Sequence, residues 1–363
     1  MKKKLLFLSG SRADYDLIFP IYNFVKVNKK FQTSLIVTGS NLDKKYSNNK
    51  KKLVNKSIFK IKVNLEFSDS KNFSKVISNY FYKFYNFLHI QKPDIVVILG
   101  DRYETLAFAI CAKFFNCKII HLHGGETTKG SLDDIWRDVI TKISDYHFTS
   151  LEKYKKKVIQ ICGKPNTVFN FGSIGAFNIK NLKNIKVFKD KKFKKKILVS
   201  YHSSTMSISQ SRNDFLELLI ALSKLKEHLI LFTYPGHDLD SDFIIDKIKK
   251  FKNLNKNSIL IKEATNFHYG NLLHNFDILV GNSSSGIIEA PSANIATINI
   301  GDRQKGRISG PSVYNVNGNS RNIYKIINKV LNNKKIIFKN PYYKKNILSK
   351  MCDKISYICN LKS

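Results

Sequence analysis

Arginine, paired cysteine and long hydrophobic runs are all scarce in this sequence of 363 residues. The five cysteines are odd in number, widely spaced and without a CxxC pair, which argues against a disulfide framework or a zinc site. No apolar run reaches the roughly 18 residues of a membrane span, and Leu5–Leu8 is too short for the core of a signal peptide. The sequence therefore predicts a cytoplasmic protein with buried reduced thiols and no membrane partner.

Basic residues far outnumber acidic ones, and nearly all of them are lysines. The formal net charge is +35, yet only seven of the 62 basic residues are arginines. The lysines are spread along the chain rather than gathered into one arm, and no nucleic-acid recognition motif accompanies them. We therefore expect solvated lysine-rich faces and no nucleic-acid partner.

Most of the arginines lie in turns rich in glycine and aspartate, where a planar bidentate donor is useful. The first such turn, residues 9–16, follows a predicted buried strand but contains neither GxGxxG nor GxxxxGKS/T. The common dinucleotide and P-loop fingerprints are thus absent. The arginines in these turns are Arg12, Arg102, Arg137, Arg303 and Arg307.

Apolar strands alternate with helical patterns along the chain, which indicates an α/β fold. We predict two doubly wound Rossmann-like domains facing across a cleft, an architecture that suits a bulky sugar nucleotide. Residues 1–175 form the first domain, 196–342 form the second, and an amphipathic helix in 343–363 packs back onto the first. The Lys/Asn-rich stretch 172–195 is typical of a linker, and 41–57 of a mobile loop.

The segment around GNSSSG at 281–286 has the pattern of a phosphate-binding turn. It follows the apolar run Ile278–Val280, typical of a buried parallel strand, and leads into a short helix that ends at Pro291. Glycines let the backbone approach a phosphate, while serine hydroxyls and free amides at a helix start donate hydrogen bonds to it. A second strand, Ile295–Ile300, delivers GDRQKGR at 301–307 beside this turn. The alternative is a serine-rich turn with solvated arginines.

Three turns in the first half of the chain carry acids, imidazoles and an arginine. They contain GDRYE at 100–104, HLHGGE at 121–126 and the aspartate pair 133–134 at a helix start. The carboxyl ends of neighbouring parallel strands meet at one edge, so these side chains should lie together. One aspartate of the pair has the alternative role of a helix N-cap. His121 and His123 share one face of a strand, but no third ligand has matching spacing, so we expect no metal.

The chain carries SRADY at 11–15, GDRYE at 100–104, HLHGGE at 121–126, DD, WR and ITK within 133–142, GNSSSG at 281–286 and GDRQKGR at 301–307. In combination these motifs are specific, and over nearly its whole length the chain resembles the hydrolysing UDP-N-acetylglucosamine 2-epimerases of sialic- and legionaminic-acid synthesis. The resemblance implies a glycosyltransferase-B-like pair of Rossmann domains with the active-site cleft between them. It also implies that no metal, nicotinamide or other cofactor is required. We further expect a homo-oligomer, either a dimer or a tetramer.

The resemblance also implies a reaction and the residues that perform it. The family removes the C2 proton while UDP leaves from C1, forming a glycal, and then adds water and a proton to release a free mannosamine-type sugar. The residues that would transfer protons or support the transfer are Asp101, Glu126, Asp133, His123 and His202. The residues that would hold the UDP-sugar are Arg12, Asp14, Arg102, Arg137, His202, Asn282, Ser283, Ser284, Glu289, Arg303 and Arg307.

Two positions depart from the family pattern. Many relatives carry Glu where His123 stands, which leaves either Glu126 or His123 itself as the acid or base. Many relatives have Arg-His in place of Arg137-Asp138, a change that alters the surroundings of the site.

Other functions and two substrates stay open. A UDP-sugar-dependent glycosyltransferase of the same fold would share the phosphate turn but would need an acceptor pocket. A non-catalytic nucleotide-binding regulator would not need the acids. The substrate is UDP-N-acetylglucosamine or UDP-2,4-diacetamido-2,4,6-trideoxyglucose, and recognition at C4 and C6 depends on loop geometry.

Overall fold

The structure of the chain is a computed structural model. Most of the predicted mobile loop 41–57 lies outside the residues that it describes, as does part of the predicted linker 172–195. The described residues are 2–42, 55–64, 70–129, 132–183, 185, 192–204, 207–236, 240–261, 269–333 and 335–361.

Strands and helices alternate along the described chain. The first half contains β1 (Lys3–Ser9), α1 (Arg12–Lys26), β2 (Phe31–Thr38), β3 (Ile58–Ile61), α2 (Ser70–Gln91), β4 (Ile95–Leu99), α3 (Tyr103–Phe114), β5 (Lys118–Leu122), α4 (Asp133–Ile143), β6 (Tyr146–Thr149), α5 (Glu152–Cys162) and β7 (Val168–Asn170). The second half contains α6 (Ile174–Asn181), β8 (Lys196–Ser200), α7 (Ile208–Ser223), β9 (Leu229–Thr233), α8 (Ser241–Leu254), β10 (Ser258–Ile261), α9 (Tyr269–Asn275), β11 (Ile278–Gly281), α10 (Ser285–Ile288), β12 (Ala296–Ile300), β13 (Val313–Val316), α11 (Ser320–Asn332) and α12 (Ile347–Asn360).

The first sheet is parallel, with strand order β3-β2-β1-β4-β5-β6-β7. Its central strands are continuous apolar runs because helices cover both faces of a doubly wound sheet, and β4 is buried along its whole length. The winding reverses between β1 and β4, and at such a point the loops after the two strands diverge and leave a crevice. The turns after β1, β4 and β5 carry SRADY, GDRYE and HLHGGE.

The second sheet repeats this pattern with strand order β10-β9-β8-β11-β12-β13, also parallel. Its reversal of winding lies between β8 and β11, which pair in register with Ser200 opposite Gly281. The core beneath it includes Phe215 of α7 and Ile323 of α11, both fully buried. The turns after β8 and β11 therefore meet at the carboxyl edge, where open α/β sheets bind ligands.

The chain forms two compact units, each containing one of the sheets. Unit 1 consists of Met1–Glu126, Asp133–Ile174 and Lys344–Ser363, and within it α12 packs against α1. Unit 2 consists of Thr127–Leu132 and Gly175–Tyr343. None of the described helices combines the length and the apolar character needed to cross a membrane.

The predicted α/β class with two doubly wound sheets is confirmed, while several local predictions differ. Helix α6 occupies part of the predicted linker because Ile174, Ala176 and Ile179 are buried despite the polar residues around them. Helix α8 and strand β13 were not predicted. The helix after GNSSSG is a single turn, and the 3-10 segment Ala290–Ala293 that follows contains Pro291 near its start.

Candidate active site

The two sheet edges carry two groups of polar side chains, one in each unit. In unit 1 the group is built around Arg137, whose side chain is 1% exposed. Its guanidinium forms ion pairs with the carboxylates of Asp101 and Asp134 and donates to the backbone oxygen of Glu126 at 2.6 Å. Burial opposes the charge, but the carboxylates of Asp101, Glu126 and Asp134 hold the pKa of Arg137 above its ordinary value. One buried cation thus fixes the turns after β4 and β5 and the start of α4.

A histidine and a carboxylate form a second buried pair after β5. Glu126 Oε1 lies 2.9 Å from His123 Nδ1 and accepts a hydrogen bond from Ser150 Oγ at 2.7 Å. His123 is 6% exposed and has φ of +63°, a left-handed conformation that is strained for a residue with a side chain. Among the residues that the structure describes, no partner reaches its buried Nε2. Because Nδ1 contacts Glu126, the opposite ring nitrogen, Nε2, points away from that carboxylate.

Both ring nitrogens of His121 contact protein groups, unlike those of His123. Its Nε2 lies 2.8 Å from the backbone oxygen of Gly100 and its Nδ1 lies 3.3 Å from Thr141 Oγ1. Burial lowers the pKa of His121 to about 4, and burial also lowers the pKa of the neighbouring His147 to about 3. Both rings are therefore neutral packing elements at ordinary pH. Within the described part of the chain, no three His, Cys, Asp or Glu side chains are arranged to hold a metal ion.

The turn after β1 lies against a buried ion pair between Arg102 Nε and Glu104 Oε1, 2.5 Å apart. Glu104 is fully buried, and a Cβ at Gly10 would lie 2.6 Å from its Oε1, so a larger residue at position 10 would displace this carboxylate. Asp14 belongs to the capping box of α1 and exchanges hydrogen bonds with Ser11. Burial raises the pKa of Asp14 to about 7, with Arg102 opposing and Glu104 adding to the shift.

In unit 2 the backbones of β8 and β11 approach unusually closely. Gly281 has φ of +140°, and a Cβ there would lie 2.0 Å from the backbone oxygen of Ser200. Directly beyond, Asn282 Oδ1 accepts from the His202 amide and Asn282 Nδ2 donates to the His202 carbonyl, both at 2.8 Å. His202 Nδ1 accepts from the Gly236 amide at 2.9 Å. Three turns are thereby tied together, with His202 held at their centre.

The serine turn that follows leaves backbone donors available. The amides of Ser283 and Ser284 have no acceptor among the residues that the structure describes, and both residues are half-buried. Helix α10 has only four residues, so the donors here are these individual amides rather than a long helix dipole. Ser285 Oγ lies 2.8 Å from Tyr269 Oη, and the carboxylate of Glu289 contributes to a raised pKa of Tyr269, after the larger effect of burial.

The loop 301–307 braces this turn from the side. Arg303 Nη1 and Gln304 Nε2 both donate to the backbone oxygen of Asn282, at 3.2 and 3.0 Å. The amide of Lys129 donates to the Lys305 carbonyl at 3.1 Å, and a Cβ at Gly306 would lie 2.9 Å from Thr127 Cγ2. The loop therefore contacts both the serine turn and the short segment after Glu126.

Most of the predicted site residues fall into these two groups. Asp101, His123 and Glu126 lie together in unit 1, and Asp133 and Asp134 are the first residues of α4. Three site neighbours were not predicted: Ser150, Tyr269 and Gln304. Gln304 was present in the quoted GDRQKGR motif, whereas Ser150 and Tyr269 carried no motif of their own.

Other predicted residues are placed differently. Asp14 caps α1, Arg102 pairs with Glu104, and Arg137 pairs with Asp101 and Asp134. The predicted contacts of these three residues with substrate stay predictions. Arg12 begins α1, but its side chain lies outside the described residues. Arg307 lines a separate cavity in unit 2, whereas Arg303 lies against Asn282.

Most of the chain matches a known protein family. Residues 24–356 match the family model described as UDP-N-acetylglucosamine 2-epimerase. The Polysialic acid biosynthesis protein P7 of Escherichia coli is 37% identical over 360 residues, which cover 95% of this chain and 92% of that protein. The GDP/UDP-N,N'-diacetylbacillosamine 2-epimerase (hydrolyzing) of Campylobacter jejuni is 33% identical over 318 residues, which cover 85% of this chain and 82% of that protein.

The fold is shared with solved structures at lower identity. The UDP-GlcNAc 2-epimerase from Neisseria meningitidis, solved bound to UDP-GlcNAc, aligns with a TM-score of 0.78 and 16% identity, covering 98% of this chain and 100% of that chain. The resemblance predicted from the motifs is thereby confirmed. With a family model matched over residues 24–356 and relatives above 30% identity over most of its length, the chain belongs to the UDP-N-acetylglucosamine 2-epimerase family.

Proposed function

We propose that this protein is a hydrolysing UDP-sugar 2-epimerase. It converts UDP-N-acetylglucosamine or UDP-2,4-diacetamido-2,4,6-trideoxyglucose, through a glycal, to UDP and a free mannosamine-type sugar. Family membership supports this assignment, as does the Campylobacter jejuni relative, whose name specifies a hydrolysing 2-epimerase. That name also specifies a diacetamido sugar, which favours the second of the two substrates.

The observation that carries the proposal is the His123–Glu126 pair. With its proton on Nδ1, His123 would donate a hydrogen bond to the Glu126 carboxylate, leaving a lone pair on Nε2, which no described residue contacts. An imidazole oriented in this way by a carboxylate is a suitable proton acceptor and donor for the C2 position. His123 thus takes the part that a glutamate has in many relatives, and Glu126 becomes the group that orients it.

The reaction needs proton removal coupled to loss of the leaving group. The C2–H bond breaks as the C1–O bond to UDP breaks, and its electron pair forms the C1–C2 double bond of the glycal. Water then adds at C1 and a proton from solvent adds at C2 on the opposite face. In this scheme Asp101 and Asp133 are acids and bases for the second stage, and His202 supports the departing phosphate.

The nucleotide end of the substrate would bind at the serine turn. The amides of Ser283 and Ser284 are available donors, and Arg303, which contacts the preceding Asn282 carbonyl, adds a positive charge that suits the negative charge developing as UDP leaves. Glu289 would accept hydrogen bonds from ribose hydroxyls. Because these groups are fixed before substrate binds, they stabilise the transition state without reorganisation.

The proposal predicts a specific isotope result. The purified protein, incubated in deuterated water with either UDP-sugar and no acceptor, should release UDP and a free mannosamine-type sugar that carries deuterium at C2. The deuterium arises because inversion requires a solvent proton. Mass spectrometry and proton NMR of the released sugar measure it. A sugar with its original C2 configuration and hydrogen would instead indicate a glycosyltransferase acting as a hydrolase, and an intact UDP-sugar epimer as sole product would exclude hydrolysis.

A second prediction concerns Arg303. Replacing it with Ala should weaken UDP binding by about 1.5–3 kcal/mol, the usual contribution of a charge-assisted hydrogen bond, and Lys should restore only part because the guanidinium fork is lost. Calorimetric titration with UDP measures the change. Arg321→Ala, at an exposed position on α11, removes the same charge and should leave the affinity unchanged. Equal affinities for Arg303→Ala and Arg321→Ala would remove the serine turn from the nucleotide site.

A further inference from the structure

Unit 2 contains a cavity of about 590 Å³ that the proposed reaction does not use. Its walls are the loop 301–309, the ends of β12 and β13, and one face of α11. Its volume falls within the range of small-molecule sites, which is roughly 300–1,000 Å³.

The cavity is strongly cationic. On α11, Asn322, Lys325 and Lys329 line it at helical spacing, so that they share one face. Arg307 and Lys305 line it from the opposite loop, where Lys305 pairs with Asp302, the one acid among the lining residues. Neither Lys325 nor Lys329 forms an ion pair with any carboxylate in the described ranges. The excess of positive charge is therefore concentrated on a concave surface rather than on a convex one.

Two amide side chains in the wall have unused acceptors. Asn299 and Gln304 line the cavity and are 4% and 3% exposed. The nitrogen of Asn299 donates to Asn315 Oδ1 at 2.8 Å and that of Gln304 donates to the Asn282 carbonyl, yet neither buried amide oxygen has a partner among the described residues. Both oxygens are almost inaccessible in this structure, and a buried acceptor without a donor is unfavourable, so a ligand hydroxyl or amide that displaced the wall enough to reach them would bind favourably.

The cavity is separate from the serine turn. Asn282, Ser283, Ser284 and Glu289 do not line it, whereas Gln304 lines the cavity and also donates to the Asn282 carbonyl. The predicted pair of UDP-binding arginines is likewise divided, with Arg303 against Asn282 and Arg307 in the cavity wall.

We propose that this cavity is a second ligand site, which binds a small anionic carbohydrate such as a sugar phosphate or a sugar acid. Lys325, Lys329 and Arg307 hold the phosphate or carboxylate, and the amide oxygens of Asn299 and Gln304 accept from hydroxyl groups. Occupancy restrains the loop 301–307 and, through Gln304, the Asn282 turn. The ligand is distinct from the UDP-sugar and binds while UDP is present.

Calorimetric titration of the full-length protein tests this site with four probes: glucose 6-phosphate, glucuronate, inorganic phosphate and glucose. We expect saturable binding of glucose 6-phosphate or glucuronate, weaker binding of inorganic phosphate, and none of neutral glucose. Comparing glucose 6-phosphate with glucuronate shows whether the site prefers a phosphate or a carboxylate group. The double variant Lys325→Gln/Lys329→Gln should weaken the affinity for whichever probe binds by about tenfold or more, because charge-assisted contacts are lost. Both lysines are exposed on α11, so the substitutions should not affect folding.

The matched control is Lys249→Gln/Lys252→Gln on α8, which makes the same change of charge at exposed positions that do not line the cavity. It should bind the probe like the unaltered protein. Equal weakening in both double variants would show general attraction to a protein of net charge +35 and would overturn the proposal. Complete displacement of the probe by UDP, or an Arg307→Ala variant that loses UDP binding, would assign the cavity to the nucleotide site and overturn it as well.

Discussion

Replacing His123 with Gln should lower kcat about 1,000-fold while leaving UDP affinity within about twofold. Glutamine keeps a polar group of similar length that can still contact Glu126, but it cannot exchange a proton at the position of Nε2. The loss therefore falls on the chemical step rather than on nucleotide binding. Steady-state release of UDP and calorimetric titration with UDP measure the two effects separately.

The companion variant Glu126→Gln distinguishes an orienting carboxylate from a catalytic one. If Glu126 orients His123, its amide analogue should lower kcat about 100-fold, less than the loss at His123, because the ring stays in place with a poorer partner. His89→Gln, an exposed histidine on α2, serves as the unaffected control. Full activity of His123→Gln together with an inactive Glu126→Gln would assign proton transfer to Glu126.

Replacing Arg137 with Met should destabilise unit 1 by about 3–5 kcal/mol, and the melting temperature should fall by roughly 10 °C. The substitution keeps an apolar side chain in place but removes the buried cation that Asp101 and Asp134 share, leaving two half-buried carboxylates close together. The backbone oxygen of Glu126 also loses its donor. Activity should be lost along with stability, since the turns after β4 and β5 are no longer held.

Asp138→Asn provides the control at the adjacent position. Asp138 pairs with Lys157 near the surface, and exposed pairs of this kind contribute about 0–1 kcal/mol. Differential scanning fluorimetry on Arg137→Met, Arg137→Lys and Asp138→Asn compares the three. Lysine should recover part of the loss, because it restores the charge without the two-pronged geometry. A melting temperature for Arg137→Met equal to that of Asp138→Asn would contradict the structural role assigned to the buried guanidinium.

Much of the fold follows from local sequence pattern. Runs such as Ile95–Leu99 and Ile278–Val280 are short, apolar and rich in β-branched residues, which predicts buried strands, and the helical spacing between such runs predicts crossover connections and parallel sheets. Helix α6 escaped prediction because its polar residues mask a short apolar stripe. Strand β13 was not predicted because it is a four-residue edge strand interrupted by the exposed Asn315, so it lacks a continuous apolar run.

The residue types of the site could also be predicted from the sequence, because motif spacing places them directly after strands. The side chains and backbone groups that they contact could not be predicted. Nothing in the motifs HLHGGE and GDRQKGR indicates that His123 pairs with Glu126 and Ser150, or that Arg303 and Arg307 point to different regions. Such pairings join turns distant in the chain, and they depend on strand order and on how far each side chain reaches.

Local sequence pattern was enough to establish the α/β class, the family and the identity of the polar residues at the two sheet edges. These properties follow from local hydrophobic periodicity and from the chemical type of each residue in the motifs. Three features emerge only from the packed structure: Arg137 is a buried structural cation, His121 and His123 have different surroundings, and a cationic cavity lies near the serine turn. The reason is physical: the charge state and function of a side chain are set by burial and by neighbours, and both are determined only when distant segments pack together.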